Sequence, residues 1–253
     1  MKTSRACCSS DPGPASGRRA LLKTVLGVAG FGAVGGLGLL ASGEVAYAAA
    51  MTKEQRDSLT PDQVLQAMKE GNERFRTGKM QAHDYLAQKR ATAGGQYPAA
   101  AILSCIDSRA PAEIILDAGI GETFNARVAG NIANDDLLGS LEFACAAAGA
   151  KLILVMGHTA CGAIKGAIDS VELGHLTGLL NKIKPAVAAT VYAGEKTSKN
   201  GAFVDEVAKT NVLRTVNDIR QHSSVLSGLE KDGKLKIVGS MYHLVGGQVE
   251  ILS

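Results

Sequence analysis

Three short strand-like runs, Ala99–Ser104, Thr123–Val128 and Leu152–Met156, alternate with stretches of helical pattern in the middle of this 253-residue chain. That alternation narrows the fold more than any other feature. Strands joined by helices run parallel, because each crossover carries the chain back along one face of the sheet before the next strand begins. Both faces of such a sheet are covered, so its strands read as nearly continuous apolar segments, as Leu152–Met156 does. One crossover helix is predicted to open at Pro111 and stop at Gly119, and another, capped by Asn134, to run from Asp135 to Gly149. The region 162–230 reads as mostly helical, with a kink at Pro185 and a break near Gly201. Leu235–Tyr242 and Gln248–Leu252, joined around Gly246-Gly247, read as a closing strand pair. Ahead of the sheet, Thr60, Pro61 and Gln63 spell a helix start with a capping box, and Leu65, Met68 and Phe75 share one face of that helix. A polar helix over Gln81–Ala93 ends at Gly94-Gly95. The expected architecture is α/β: one domain over residues 51–253, with a central, mostly parallel β-sheet flanked by helices and an N-terminal helical arm over 51–95.

Residues 1–50 have another character. Arg18 and Arg19 stand in a basic stretch, a charge-free Gly-rich segment follows from Thr24 to Gly43, and small residues close it at Ala46-Tyr47-Ala48-Ala49-Ala50. Basic, then apolar, then small is the order of a secretory signal, and paired arginines mark the twin-arginine variety. The segment resembles twin-arginine leaders, with Leu21 where these often have Phe. That resemblance implies the twin-arginine export machinery as a partner, a periplasmic or otherwise exported destination, and passage in the folded state. Cleavage is expected after Ala48 or Ala50, leaving no stable membrane association; the alternative is a retained anchor, since about 20 apolar residues can span a bilayer. The segment holds five basic and two acidic residues, so of the 27 basic and 24 acidic residues in the chain the remainder is balanced. A formally neutral body offers no basic face to nucleic acid.

Of five cysteines, Cys7 and Cys8 belong to the leader and Cys105, Cys145 and Cys161 to the body. Three cysteines in a domain of this size are not a disulfide framework. Cys145 lies in the Ala-rich run 143–148 and reads as a packing residue. Cys105-Ile106-Asp107-Ser108-Arg109 follows the first strand, and Gly157-His158-Thr159-Ala160-Cys161-Gly162 follows the third. Ligand sites of open parallel sheets gather at the carboxyl ends of strands, so the two segments are expected to meet. Two thiolates and one imidazole make a zinc set, and three protein ligands leave the open fourth position of a catalytic site. The competing chemistry is a Cys105–Cys161 disulfide in an oxidising compartment.

With these residues the chain resembles the β-class carbonic anhydrases, whose pattern is Cys-x-Asp-x-Arg followed by His-x-x-Cys. The resemblance covers roughly residues 60–253 and includes Gly71-Asn72, Arg127 and Gly130-Asn131. It implies one zinc ion per chain on Cys105, His158 and Cys161, a catalytic pair of Asp107 and Arg109, and substrate contacts at Gln96, Phe124 and Gly162. It further implies reversible hydration of carbon dioxide to bicarbonate and a proton, in a homodimer or tetramer. A related reading with the same motifs is a zinc hydrolase acting on carbon disulfide or carbonyl sulfide; a zinc-binding homologue without catalysis is expected to lose Asp107 or Arg109, and both are present. Phe143 stands where many members have Tyr, and Trp is absent, so the arm cannot supply the Trp of one subgroup's bicarbonate site. His83, His175, His222 and His243 are candidates to carry the proton away.

Overall fold

The computed structural model describes residues 49–252, and residues 1–48 of the leader expected over 1–50 lie outside the described residues. The arm comprises α1 (Lys53–Ser58), α2 (Pro61–Arg76) and α3 (Tyr85–Thr92). Both α1 and α2 open with a reciprocal capping box, Thr52 with Gln55 and Thr60 with Gln63, so two otherwise orphaned amides are satisfied at each start. The sheet region then runs β1 (Ala100–Ser104), α4 (Ala112–Ile115), β2 (Thr123–Arg127), α5 (Asp135–Glu142) and β3 (Leu152–His158). Four helices follow, α6 (Gly162–Ile168), α7 (Gly174–Ala189), α8 (Gly201–His222) and α9 (Ser224–Lys231), before β4 (Lys236–Tyr242) and β5 (Val249–Leu252).

The five strands lie in the order β2-β1-β3-β4-β5, all parallel except β5. From β1 the chain steps outward to β2 and then crosses back to β3, so the order reverses between β1 and β3. Their carboxyl ends flank the crevice that such a switch creates. Every residue of both strands is buried. Alternate side chains feed two apolar layers: Leu103, Ile153 and Val155 join the layer that contains Val207, Val212 and Ile183. Ile102, Leu154 and Met156 join the other, with Val64, Leu65 and Ile115. Helix α8 lies unusually close to the sheet. A Cβ on Gly157 would sit 2.6 Å from Val212 Cγ2, and one on Gly239 would sit 2.8 Å from Val212 Cγ1.

Several boundaries differ from expectation, each for a local reason. The helix after Pro111 ends at Ile115, because Asp117 turns into a left-handed conformation (φ 49°) and buries its carboxylate. The polar helix begins only at Tyr85, capped by Asp84, because the Gln81 amide and the His83 ring are taken by Asp117. The helix from Asp135 widens into a π-turn over Phe143–Ala147. Helix α7 runs on through Pro185, whose ring stands on an exposed face. Strand β3 extends to His158, which is therefore a strand residue rather than a loop residue. Among the described residues no helix is long and apolar enough to cross a membrane.

The Asp117 carboxylate, fully buried, ties the arm to the sheet. It accepts hydrogen bonds from Arg74 Nε at 2.5 Å, Gln81 N at 3.0 Å and His83 Nε2 at 3.2 Å. Burial pushes its pKa up, but the bonds from Arg74, Gln81 and His83 prevail and hold it below the ordinary carboxylate value. A depressed carboxylate contributes stability above its unfolded pKa of about 3.9, and that contribution vanishes as pH falls through the lower folded value. Asp117→Asn is therefore expected to lower the unfolding free energy in urea by about 3 kcal/mol at pH 7, the lower end for a broken buried pair because Arg74 is partly solvated. The deficit should shrink below about pH 4; equal stabilities at pH 7 would show that the arm is held by other contacts.

Candidate metal centre

Cys105 leaves the end of β1 directly after the fully buried Ser104. Its loop is held open by Arg127, at the end of the neighbouring β2, which donates from Nε to Cys105 O (2.9 Å) and from Nη2 to Asp107 O (2.6 Å). Asp107 in turn receives Arg109 in a fork, Nε to Oδ1 at 2.9 Å and Nη2 to Oδ2 at 2.8 Å, with the Arg109 amide as a third donor at 2.9 Å. The opposing loop starts at His158, paired with Tyr242 of β4. His158 Nδ1 lies 2.9 Å from Thr159 O, so this nitrogen carries the proton and Nε2 presents its lone pair. The chain then turns through Ala160 in a left-handed conformation (φ 55°) to Cys161, which caps α6.

This folding brings the two thiols and the imidazole together: one ligand atom from each of Cys105, His158 and Cys161 lies within 4.8 Å of the others, and all three residues are buried. All three body cysteines are free thiols, so no Cys105–Cys161 disulfide forms here. The Cys161 thiol is the largest influence holding the Cys105 thiol well below its ordinary pKa, and the N–H of Gly130, 3.4 Å from the sulfur, adds to it. The shared proton correspondingly raises Cys161. Burial opposes an imidazolium at His158, yet hydrogen bonding to Cys105 and its charge, with the Thr159 carbonyl and then the Asp107 charge, outweigh it and raise its pKa. Asp107 lies 3.8 Å from His158 Nε2 and is kept ionised far below the usual carboxylate range, chiefly by the Arg109 guanidinium.

Buried polar atoms without partners are rare in folded proteins, and each asks for an explanation. Among the side chains of the described residues there are three such atoms, Ser104 Oγ, Asn131 Nδ2 and His158 Nε2, and all belong to this end of the sheet. An imidazole lone pair facing two thiols and a carboxylate is the donor set of a metal ion with soft and borderline ligands, and these residues could hold one.

The remaining expected site residues are placed differently. Gly162 is the first residue of α6, directly beside Cys161. Gln96 is exposed and precedes β1, so roughly 16 Å of strand separates it from Cys105. Phe124 sits opposite Ala101 early in β2, edge-on to Phe143 at 6.0 Å, away from the thiols of its own chain. Cys145 is a packing residue whose pKa burial pushes up to about 12. His83 is locked onto Asp117, and His243, just past β4, is bound to Glu250 at 3.0 Å. Arg127 had no role from sequence, although a cation closing the neighbouring strand was a readable signal. Asp205 and Asn211 of α8 carried none; they reach the loops through Ala160 N (2.8 Å) and Gly130 O (2.7 Å).

Known proteins resemble the chain over this same region. The family model for carbonic anhydrase matches residues 100–249. Carbonic anhydrase 2 of Mycobacterium tuberculosis is 38% identical over 190 residues, 74% of this chain and 91% of its own. The carbonic anhydrase of Mycolicibacterium smegmatis is 33% identical over 195 residues, 76% and 94% of the two chains. Among solved structures, a β-carbonic anhydrase of Aspergillus fumigatus superposes with a TM-score of 0.59 at 26% identity, over 65% of this chain and 79% of that one. The Coccomyxa β-carbonic anhydrase, solved with acetazolamide, gives 0.58 at 25% identity over 64% and 75%. With a match that runs from β1 into β5, and so through both loops of the thiol–imidazole cluster, the chain belongs to the β-class carbonic anhydrases.

Proposed function

We propose that this protein catalyses the reversible hydration of carbon dioxide to bicarbonate and a proton, with one zinc ion held by Cys105, His158 and Cys161. The observation that carries the reading is the orphaned, buried His158 Nε2 facing two thiols beside an ionised carboxylate. A zinc ion there would supply Lewis acidity, bringing the pKa of a water molecule from about 15.7 down to the neutral range. The protein's own residues do the rest. Asp107 stays ionised, so it can only accept a hydrogen bond; it takes the one offered by the attacking oxygen and turns that oxygen's lone pair toward the carbon of carbon dioxide. Arg109 fixes the aim through its two-pronged grip, and its charge keeps Asp107 from turning to the metal. Arg127 holds the backbone on which both stand. The intact Asp107–Arg109 pair favours an enzyme over a silent zinc-binding homologue.

Gln96 and Phe124 lie too far from Cys105 in their own chain to touch its substrate, so we assign the protein to a homo-oligomer in which a second copy brings them to the site. The open edge of β2 and the 59% exposed Phe143 beside Phe124 support that reading. Export by the twin-arginine route is likewise proposed from the leader, and it suits a protein that acquires metal as it folds.

Arg109→Ala and Asp107→Ala should each keep about one zinc per chain and lose roughly a hundredfold in hydration rate, since orientation is lost and the ligands are untouched. Elemental analysis with a stopped-flow hydration assay measures both; zinc loss in Arg109→Ala would make Arg109 a structural support of the metal loop instead. Changing Arg18 and Arg19 together to Lys should leave active protein in the cytoplasm, and cell fractionation that finds it exported at normal levels would refute the twin-arginine assignment.

A further inference from the structure

Helix α8 touches the ligand loops from behind. Its Val212 rests on Gly157 and Gly239, where no Cβ would fit, and this close approach carries the neighbouring Asn211 down to the loop after β2. Asn211 is 3% exposed, and its Nδ2 donates to Gly130 O at 2.7 Å. The peptide plane that carries Gly130 O also carries the Asn131 N–H, which bonds Val128 O at 3.0 Å, so the plane is pinned at both ends. Gly130 takes φ 72°, and a Cβ there would fall 2.5 Å from Ile183 Cδ1, so glycine is required. Glycine is also the residue least able to hold its own torsions. The Gly130 N–H lies in the preceding peptide plane, joined to this one only through the Gly130 φ and ψ, and it points at Cys105 Sγ, 3.4 Å away.

We propose that Asn211 is a positioning residue for the metal centre: by bracing the Gly130 torsions it keeps an N–H aimed at the Cys105 sulfur and so sets that sulfur's direction as a ligand. This rests on the reading of Cys105 as a zinc ligand. An N–H bond to a buried thiolate offsets the cost of its charge and fixes which lone pair is free to bind metal. Without Asn211 the plane keeps only the Asn131 N–H bond to Val128 O, so the Gly130 torsions loosen and the N–H aimed at the sulfur drifts with them. Outer-shell partners of this kind are worth about 10–100-fold in metal affinity.

The test uses the full-length protein loaded with zinc or with cobalt(II). Asn211→Leu removes the amide at similar size, Asn211→Ala removes it without risk of overpacking, and Thr215→Val changes a buried polar residue one turn along α8 as a packing control. Zinc affinity is measured by competition with a chelator, and the thiolate-to-cobalt charge-transfer band reports the sulfur directly. Both Asn211 variants should bind zinc at least about tenfold more weakly and shift the band, and Thr215→Val should do neither. If both Asn211 variants fall in thermal stability while affinity stays within about twofold and the band does not move, Asn211 only packs and the proposal fails. A Cys105→Ser protein separates the two levels: if it loses zinc while the Asn211 variants keep it, only this inference falls. If it binds zinc as tightly as the wild type, the metal-centre reading falls with it.

Discussion

The parallel pairing of β1 with β3, in the register that sets Ser104 beside Met156, is the constraint on which the rest of the structure depends. Each strand is buried along its whole length, so a slip of one residue would exchange the side chains feeding the two apolar layers. β3 also runs two residues further than β1, which lifts His158 to the level of the loop carrying Cys105. The imidazole at the end of β3, the thiol of the loop that follows it and the thiol after β1 then meet without any of the three being close in sequence to all its partners. Pairing and register thus convert hydrophobic burial, the large and nonspecific contribution, into a placement accurate enough for chemistry.

Electrostatics at that place run against stability. Two thiols and an imidazole are buried together, and a buried polar atom without a partner costs free energy. The surroundings are arranged to bear it: backbone amides address the sulfurs, Arg127 and Arg109 face the carbonyls and carboxylate, and Asp205 and Asn211 hold the loops from α8. Such support would spare a metal bound there much of the cost of ordering its ligands.

What could be read from the residues follows the range of the forces involved. The Thr60 capping box and the Asn134 cap were legible because they are bonds within one turn. That Cys105, His158 and Cys161 come together was legible because strand ends converge in any parallel sheet. Boundaries set from afar were not: Asp117 shortens one helix and delays another through contacts more than thirty residues away in sequence. The same is true of Asn211, 81 residues from Gly130 and unremarkable within its helix. Gln96 and Phe124 were named by resemblance, and the fold of a single chain does not bring them to the thiols.

The central claim is that Cys105, Cys161 and His158 together form one metal centre. X-ray absorption at the zinc edge of the zinc-loaded protein tests it most directly. The account predicts two sulfur scatterers at about 2.3 Å and nitrogen or oxygen scatterers at about 2.0–2.1 Å completing four-coordination. One sulfur or none, or a Cys105–Cys161 disulfide in active protein, would contradict it.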